Sequence, residues 1–231
     1  MCTARSCTWN NPPHLITTNS VTGILLNVHV VIFSLREDAL HILLAPARGR
    51  AWQLPEAEVQ SDEPLEQAAA RAFAGQVDSR LAHLEQLYTY GDPGRHPRVR
   101  LVSVVYFALV PSNAGQASGA MSWFRLDSLP LLTLDHAGIV SYALHRLRYK
   151  LEYSAAGFQL LPAEFTLSEL QHTYEIILGE RLDKRNFRRR ILQAGIIEKT
   201  TGHRSGEGRP ASLYRYRLDA VAEVKARRLF P

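Results

Sequence analysis

Apolar and polar positions change period several times along this chain, and each change marks an element. Residues 23–35 (GILLNVHVVIFSL) are dense in Val, Ile and Leu, and residues 39–45 form a second such run after the turn-prone Arg36-Glu37-Asp38. Together they predict a pair of strands. Residues 99–110 (VRLVSVVYFALV) alternate and then become continuously apolar, as an interior strand does, and Pro111 ends the run. Residues 122–126 predict another short strand. Leu65, Ala68, Ala69, Ala72 and Phe73 recur at helical spacing within residues 64–76, and Ile139, Tyr142, Ala143, Leu147 and Leu151 do so within residues 135–151. Strands, helix, strands and then helices predict an α+β fold.

Residues 166–216 carry the densest local signals. Thr166-Leu167-Ser168-Glu169 has capping-box spacing, Leu170, Tyr174, Ile177 and Leu178 continue an apolar helical face, and Gly179 suits a left-handed C-terminal cap. After a turn, Asp183 is placed to cap a second helix with Phe187, Ile191 and Ala194 inward and Arg185, Arg188, Arg189 and Gln193 outward; Gly195 ends it. Two short runs, residues 196–200 and 212–216, flank a glycine-rich tip at residues 202–210, which reads as a β-hairpin. Helix, turn, helix and hairpin together predict a winged helix-turn-helix.

Charge sharpens this reading. The chain has 231 residues and a formal net charge of +5. Residues 181–217 hold eleven Lys and Arg against three acids, an excess of eight, so the rest of the chain is net acidic by three. A concentrated positive face on a turn-linked helix pair is the footprint of duplex binding, because Lys and Arg displace counterions from phosphates while a helix enters the major groove. The candidate DNA contacts are Lys184, Arg185, Asn186, Arg188 and Arg189 on the second helix, with His203, Arg204 and Arg209 on the wing.

A hydrophobic content of 46% supplies a core for one large domain or two modest ones. No apolar run reaches the length of a membrane span, and residues 1–13 lack the apolar core of a signal peptide, so a cytoplasmic protein is expected. Cys2 and Cys7, the two cysteines, are expected to be reduced thiols in a polar tail. The expected organisation is a tail at 1–20, a first domain at 21–150 and a DNA-binding domain at 151–231. No Gly/Ser-rich tether separates the two domains, so movement in the first can be transmitted to the second.

Residues 52–79 (WQLPEAEVQSDEPLEQAAARAFAGQVDS) resemble the signature loop and helix of Nudix hydrolases, G-x5-E-x7-R-E-U-x-E-E-x-G-U with U a bulky aliphatic residue. Alignment places Ala57 at the first Gly, Glu63 at the first Glu and Arg71 at the Arg. Ala72 then stands where the family has Glu, Gly75 and Gln76 replace the Glu pair, and Asp78 replaces the closing Gly. Those glutamates would hold Mg²⁺ or Mn²⁺ and place water against a diphosphate, which needs anionic oxygens on one helix face. The resemblance therefore implies a Nudix-like α/β/α sandwich without hydrolase activity.

Residues 182–217, with the preceding EFTLSELQHTYEIILG, resemble the winged-helix part of Nudix-related transcriptional regulators of NAD metabolism, the NrtR-like proteins of bacteria. This resemblance implies a homodimeric repressor on a palindromic operator, released by an NAD-related nucleotide such as ADP-ribose, with no cofactor or metal required. An effector of that kind needs cations for its phosphates and a flat surface for its base. Arg48, Arg50, Trp52, Arg71 and Arg98 are the candidates, with Tyr88, Tyr90, Arg95 and His96 in a loop and strand start nearby. His136, His145 and His172 have no partner pattern. The alternatives are a metal-dependent hydrolase of nucleoside diphosphate derivatives, with Glu56 or Glu58 supplying the missing carboxylates, and an RNA-processing or scaffold protein.

Overall fold

The computed structural model describes residues 23–77, 83–113, 120–153, 156–205 and 210–217. Cys2, Cys7, the expected tail, Asp78, Arg209 and residues 206–208 of the hairpin tip lie outside the described residues.

The first part of the chain contains strands β1 (Ile24–Arg36), β2 (Ala39–Pro46), β3 (Trp52–Gln53) and β4 (Glu56–Glu58), followed by helix α1 (Leu65–Ala72). Strands β5 (His83–Tyr90), β6 (Arg100–Val110) and β7 (Ser122–Arg125) precede helix α2 (His136–Tyr153). The strands form one mixed sheet in the order β3-β2-β1-β6-β5, with β4 pairing to β1 and β7 to β2. At its centre β1 and β6 run parallel, Ile24 opposite Arg100 through Ser34 opposite Val110.

The period-two geometry of these strands generates the layers. Val28, Val30 and Ile32 of β1, with Val104, Tyr106 and Ala108 of β6, meet Ala68, Ala69 and Ala72 of α1 and Phe73 behind it. Val31, Phe33, Val105, Phe107 and Leu109 point the other way, toward Ile139, Val140, Ala143 and Leu147 of α2. The result is the expected α/β/α sandwich.

The remainder comprises a 3-10 turn at Ala156–Leu160, helices α3 (Leu167–Leu178) and α4 (Lys184–Gln193), and a hairpin of β8 (Ile197–Arg204) with β9 (Ala211–Tyr216). Its apolar residues Phe158, Phe165, Leu170, Tyr174, Phe187 and Ile191 join the same buried cluster as the α2 side of the sheet. Polar contacts among the described residues also cross the junction: Arg148 Nε donates to the Ile177 carbonyl at 2.8 Å, and His172 Nε2 lies 3.1 Å from Asp38 Oδ1. At Gly157 an added Cβ would stand 2.8 Å from the Tyr174 ring, so the close approach of the turn to α3 needs a residue without a side chain.

The structure corrects several details. The helix expected at 64–76 stops at Ala72, and the chain turns through Gly75 at φ +77°. Tyr88 and Tyr90 lie within strand β5, not a loop. The first hairpin strand continues to Arg204, so His203 and Arg204 belong to β8 and not to the tip. Strands β3 and β4 went unread because two and three residues are too few to show a period. Among the described residues no helix is long and apolar enough to cross a membrane.

Candidate functional site

The basic helix is set in place by local chemistry. At the start of α3 the Thr166 hydroxyl accepts the Glu169 N–H at 3.1 Å, while Glu169 Oε2 accepts the Thr166 N–H at 2.8 Å, completing a capping box. Gly179 takes the left-handed cap at φ 79°. The link to α4 is held by Glu175, whose Oε1 accepts the Leu182 N–H at 2.9 Å and the Gln171 amide at 2.9 Å, and these bonds hold its carboxyl below the usual range. Asp183 caps α4 by accepting the Asn186 N–H at 2.8 Å. Phe187 then packs edge-on against Tyr174, ring centroids 5.5 Å apart, which fixes the opposite face of α4 toward solvent.

That solvent face carries Lys184, Arg185, Asn186, Arg189, Leu192 and Gln193. Lys184 and Arg185 have no side-chain partner among the described residues. Arg189 donates to Asn186 Oδ1 at 3.0 Å, within the same face. Arg188 is placed differently: half-buried, it donates through Nη2 to Ser168 Oγ at 3.0 Å and ties α4 to α3. On the hairpin His203 is exposed, opposite Ser212. Arg204 is turned inward onto Glu169 Oε1 and the Glu164 carbonyl, which clamps the wing to the start of α3.

A second site lies on the sheet, where a cavity of about 350 Å³ is lined by Leu25, Asn27 and His29 of β1, Ala47, Arg48, Gln53, Glu56, His96, Leu101, Thr133, Leu134 and His136. Glu56 is its polar hub, 3.0 Å from His29 Nε2 and accepting the Gln53 amide at 3.1 Å. The His29 hydrogen bond holds the Glu56 carboxyl below its ordinary value. His136 Nδ1 accepts the Leu54 N–H at 3.1 Å, which places its proton on Nε2. Burial pushes this imidazole down to about 4, so it is neutral at physiological pH. The His29 and His136 rings meet edge to face at 4.9 Å. Asn27 Oδ1, His29 Nδ1 and His136 Nε2 are buried without a hydrogen-bond partner among the described residues.

The sequence-derived candidates divide around this cavity. Arg48 lines it, as does His96, which accepts the Arg98 N–H at 3.2 Å while the Arg98 side chain is exposed. Arg50 is exposed in the turn beyond β2. Trp52 is part of the framework, with backbone bonds to Leu131 and Thr133 and its ring on Phe124 at 4.6 Å. Arg71 binds Glu63 at 2.5 Å and the Glu58 carbonyl at 2.7 Å, holding the loop before α1. Arg95 is enclosed by Asp135 at 2.6 Å and Ser103 at 2.8 Å. Asn27, His29, Gln53 and Thr133 are cavity residues the sequence did not single out, while Glu56 was read only as a replacement carboxylate and His136 only as a histidine without a partner pattern. A signal existed for two of them, since Asn27 and His29 interrupt an otherwise apolar strand on one face. Among the described residues no group of three or more His, Cys, Asp and Glu is arranged to hold a metal ion.

Comparison with known proteins places these features together. Residues 157–216 match the family model described as the NrtR DNA-binding winged helix domain. Over 206 residues, 84% of this chain and 82% of the relative, the chain is 36% identical to the ADPR responsive transcriptional repressor NtrR of Acinetobacter baylyi. The crystal structure of Shewanella oneidensis NrtR complexed with a 27mer DNA superposes with a TM-score of 0.77 at 32% identity, covering 88% of this chain and 96% of that one. A MutT/nudix family protein from Enterococcus faecalis shares the fold, with a TM-score of 0.71 at 24% identity, over 84% of this chain and 88% of that one. The chain belongs to the NrtR family of transcriptional repressors, in which a Nudix-like domain is joined to a DNA-binding winged helix.

Proposed function

We propose that this chain represses genes of NAD metabolism by binding a palindromic operator as a homodimer, and that ADP-ribose or a related nucleotide in the sheet cavity releases it. The observation that carries the DNA half is the solvent face of α4, where Lys184, Arg185 and Arg189 project from a helix whose other face is locked on Tyr174. Such a face neutralises phosphates and reaches base edges. His203 extends the surface along the wing, and Arg188 and Arg204 support it by holding the helix and wing to α3.

The cavity fits a nucleotide diphosphate sugar in its chemistry. Arg48 and His96 supply positive or hydrogen-bonding groups for phosphates, whereas His29, Glu56 and neutral His136 suit hydroxyl groups. Unsatisfied buried polar atoms cost about 1–3 kcal/mol each, a cost that a polar ligand removes. The same reasoning makes the domain a sensor and not a hydrolase. Ala72, Gly75 and Gln76 carry no carboxylate, Glu63 is engaged by Arg71, and the helix that would align metal ligands ends at Ala72. Release follows if the nucleotide favours a dimer geometry in which the two α4 helices no longer match the half-site spacing.

Fluorescence anisotropy of the purified chain on DNA upstream of its own operon and of NAD-metabolism genes tests this at fixed salt. Tight, sequence-selective binding that ADP-ribose weakens, and NAD or ATP does not, is expected. Weak binding without sequence preference, unchanged by all three, overturns the proposal. Mg²⁺-dependent release of AMP from ADP-ribose, lost in Glu63→Gln, would establish the hydrolase instead.

A further inference from the structure

The solvent face of α4 holds one residue that charge does not explain. Leu192 is 49% exposed, although it lies in the last turn of a helix whose inward positions Phe187 and Ile191 are buried. At 100° per residue it stands on the same side as Arg185, seven positions earlier, and Arg189, three positions earlier. About half of that apolar side chain is left open to solvent.

We propose that Leu192 reads a thymine in each operator half-site by packing its methyl groups against the base's C5-methyl in the major groove. The inference rests on the reading of α4 as the recognition helix. The charge of the face selects the occupant: Arg185 and Arg189 on the same side draw in a polyanion, which brings the exposed leucine against base edges and not against another apolar protein surface. In the major groove thymine alone among the four bases presents a methyl group, so an apolar side chain distinguishes it where a cation cannot. Arg185 and Arg189 thereby supply position and affinity, and Leu192 supplies selectivity at one base pair.

The test starts from a duplex selected by the full chain from a random-sequence pool. Each thymine of that duplex is replaced in turn by deoxyuridine, which removes the methyl group and nothing else, and binding is measured by anisotropy. The wild type should lose about fourfold in affinity at one symmetric pair of positions, roughly the worth of one methyl group removed from water. Leu192→Ala, which keeps a strong helix former at an exposed site, should bind the two duplexes equally at those positions. Arg189→Ala should weaken both duplexes while preserving the difference between them. A selected site at which no thymine responds, or a response that persists in Leu192→Ala, overturns the assignment of Leu192 but leaves the DNA-binding reading standing. A pool that yields no common sequence overturns both.

Discussion

Individual side chains differ most in what they are already bonded to. Arg185 and Arg189 face solvent on α4, so Arg185→Ala or Arg189→Ala should weaken DNA binding without unfolding the chain. A lost phosphate contact lowers affinity for all sequences and reduces the salt slope by about one, whereas a lost base contact costs about 1–3 kcal/mol and relaxes one position. Titration of binding against salt separates the two, and an unchanged affinity in both variants would remove α4 from the interface. In the cavity, His136 has its folded-state value depressed to about 4 from 6.5. The unfolded chain therefore binds more protons between those values, so stability is full above pH 6.5 and falls as the pH drops toward 4. The loss between pH 7 and pH 5 should be about 2 kcal/mol. Urea midpoints should show it, and His136→Asn should flatten the dependence; a wild-type midpoint that is level over this range would contradict it. The cations of α4 were legible in the sequence because charge density and helical period coincide there. The cavity was not, because its polar groups come from positions 27, 29, 53, 56 and 136 and meet only when the sheet closes. Trp52 shows the same limit: a tryptophan beside a ligand loop reads alike whether its ring meets a base or Phe124.

Elements ending in local side-chain bonds were the most legible. Both helix caps, Thr166 with Glu169 and Asp183 with Asn186, follow from residues within three positions of one another, as does the αL turn at Gly179. Asp183→Ala should cost about 1 kcal/mol of stability and fray the first turn of α4, where Lys184 and Arg185 begin the basic face. Chemical denaturation and anisotropy together check it, and intact DNA affinity in the destabilised variant would show that this turn lies away from the duplex. The wing is different, because Glu169 has two duties: one carboxylate oxygen closes the capping box and the other holds Arg204, 35 residues away. No local pattern reports that second bond. Glu169→Ala and Arg204→Ala should each loosen the hairpin, and a double-mutant cycle on DNA affinity should show them to be coupled; strict additivity would mean that the wing is oriented by other contacts.

In the whole molecule the Nudix-like sandwich and the winged helix share one apolar cluster, with Arg148 and His172 bridging them at its edge. Arg148→Ala removes the bond to the Ile177 carbonyl, in the last turn of α3. It should leave the affinity for DNA alone and for ADP-ribose alone nearly unchanged, while shrinking the factor by which each weakens the other. That factor must be equal in both directions, so two titrations of the same variant check each other. An undiminished factor would place the coupling elsewhere. Helix α2 gives this relation a mechanical form. Its first residue, His136, lines the cavity, and Arg148 and Leu151 near its far end lie against the winged helix. At 1.5 Å per residue, its 18 residues make a lever about 27 Å long. A tilt of about 5° at the cavity end would carry the other end through about 2 Å, a displacement that, in the dimer proposed above, two reading heads set one turn of duplex apart would register as a change of gauge.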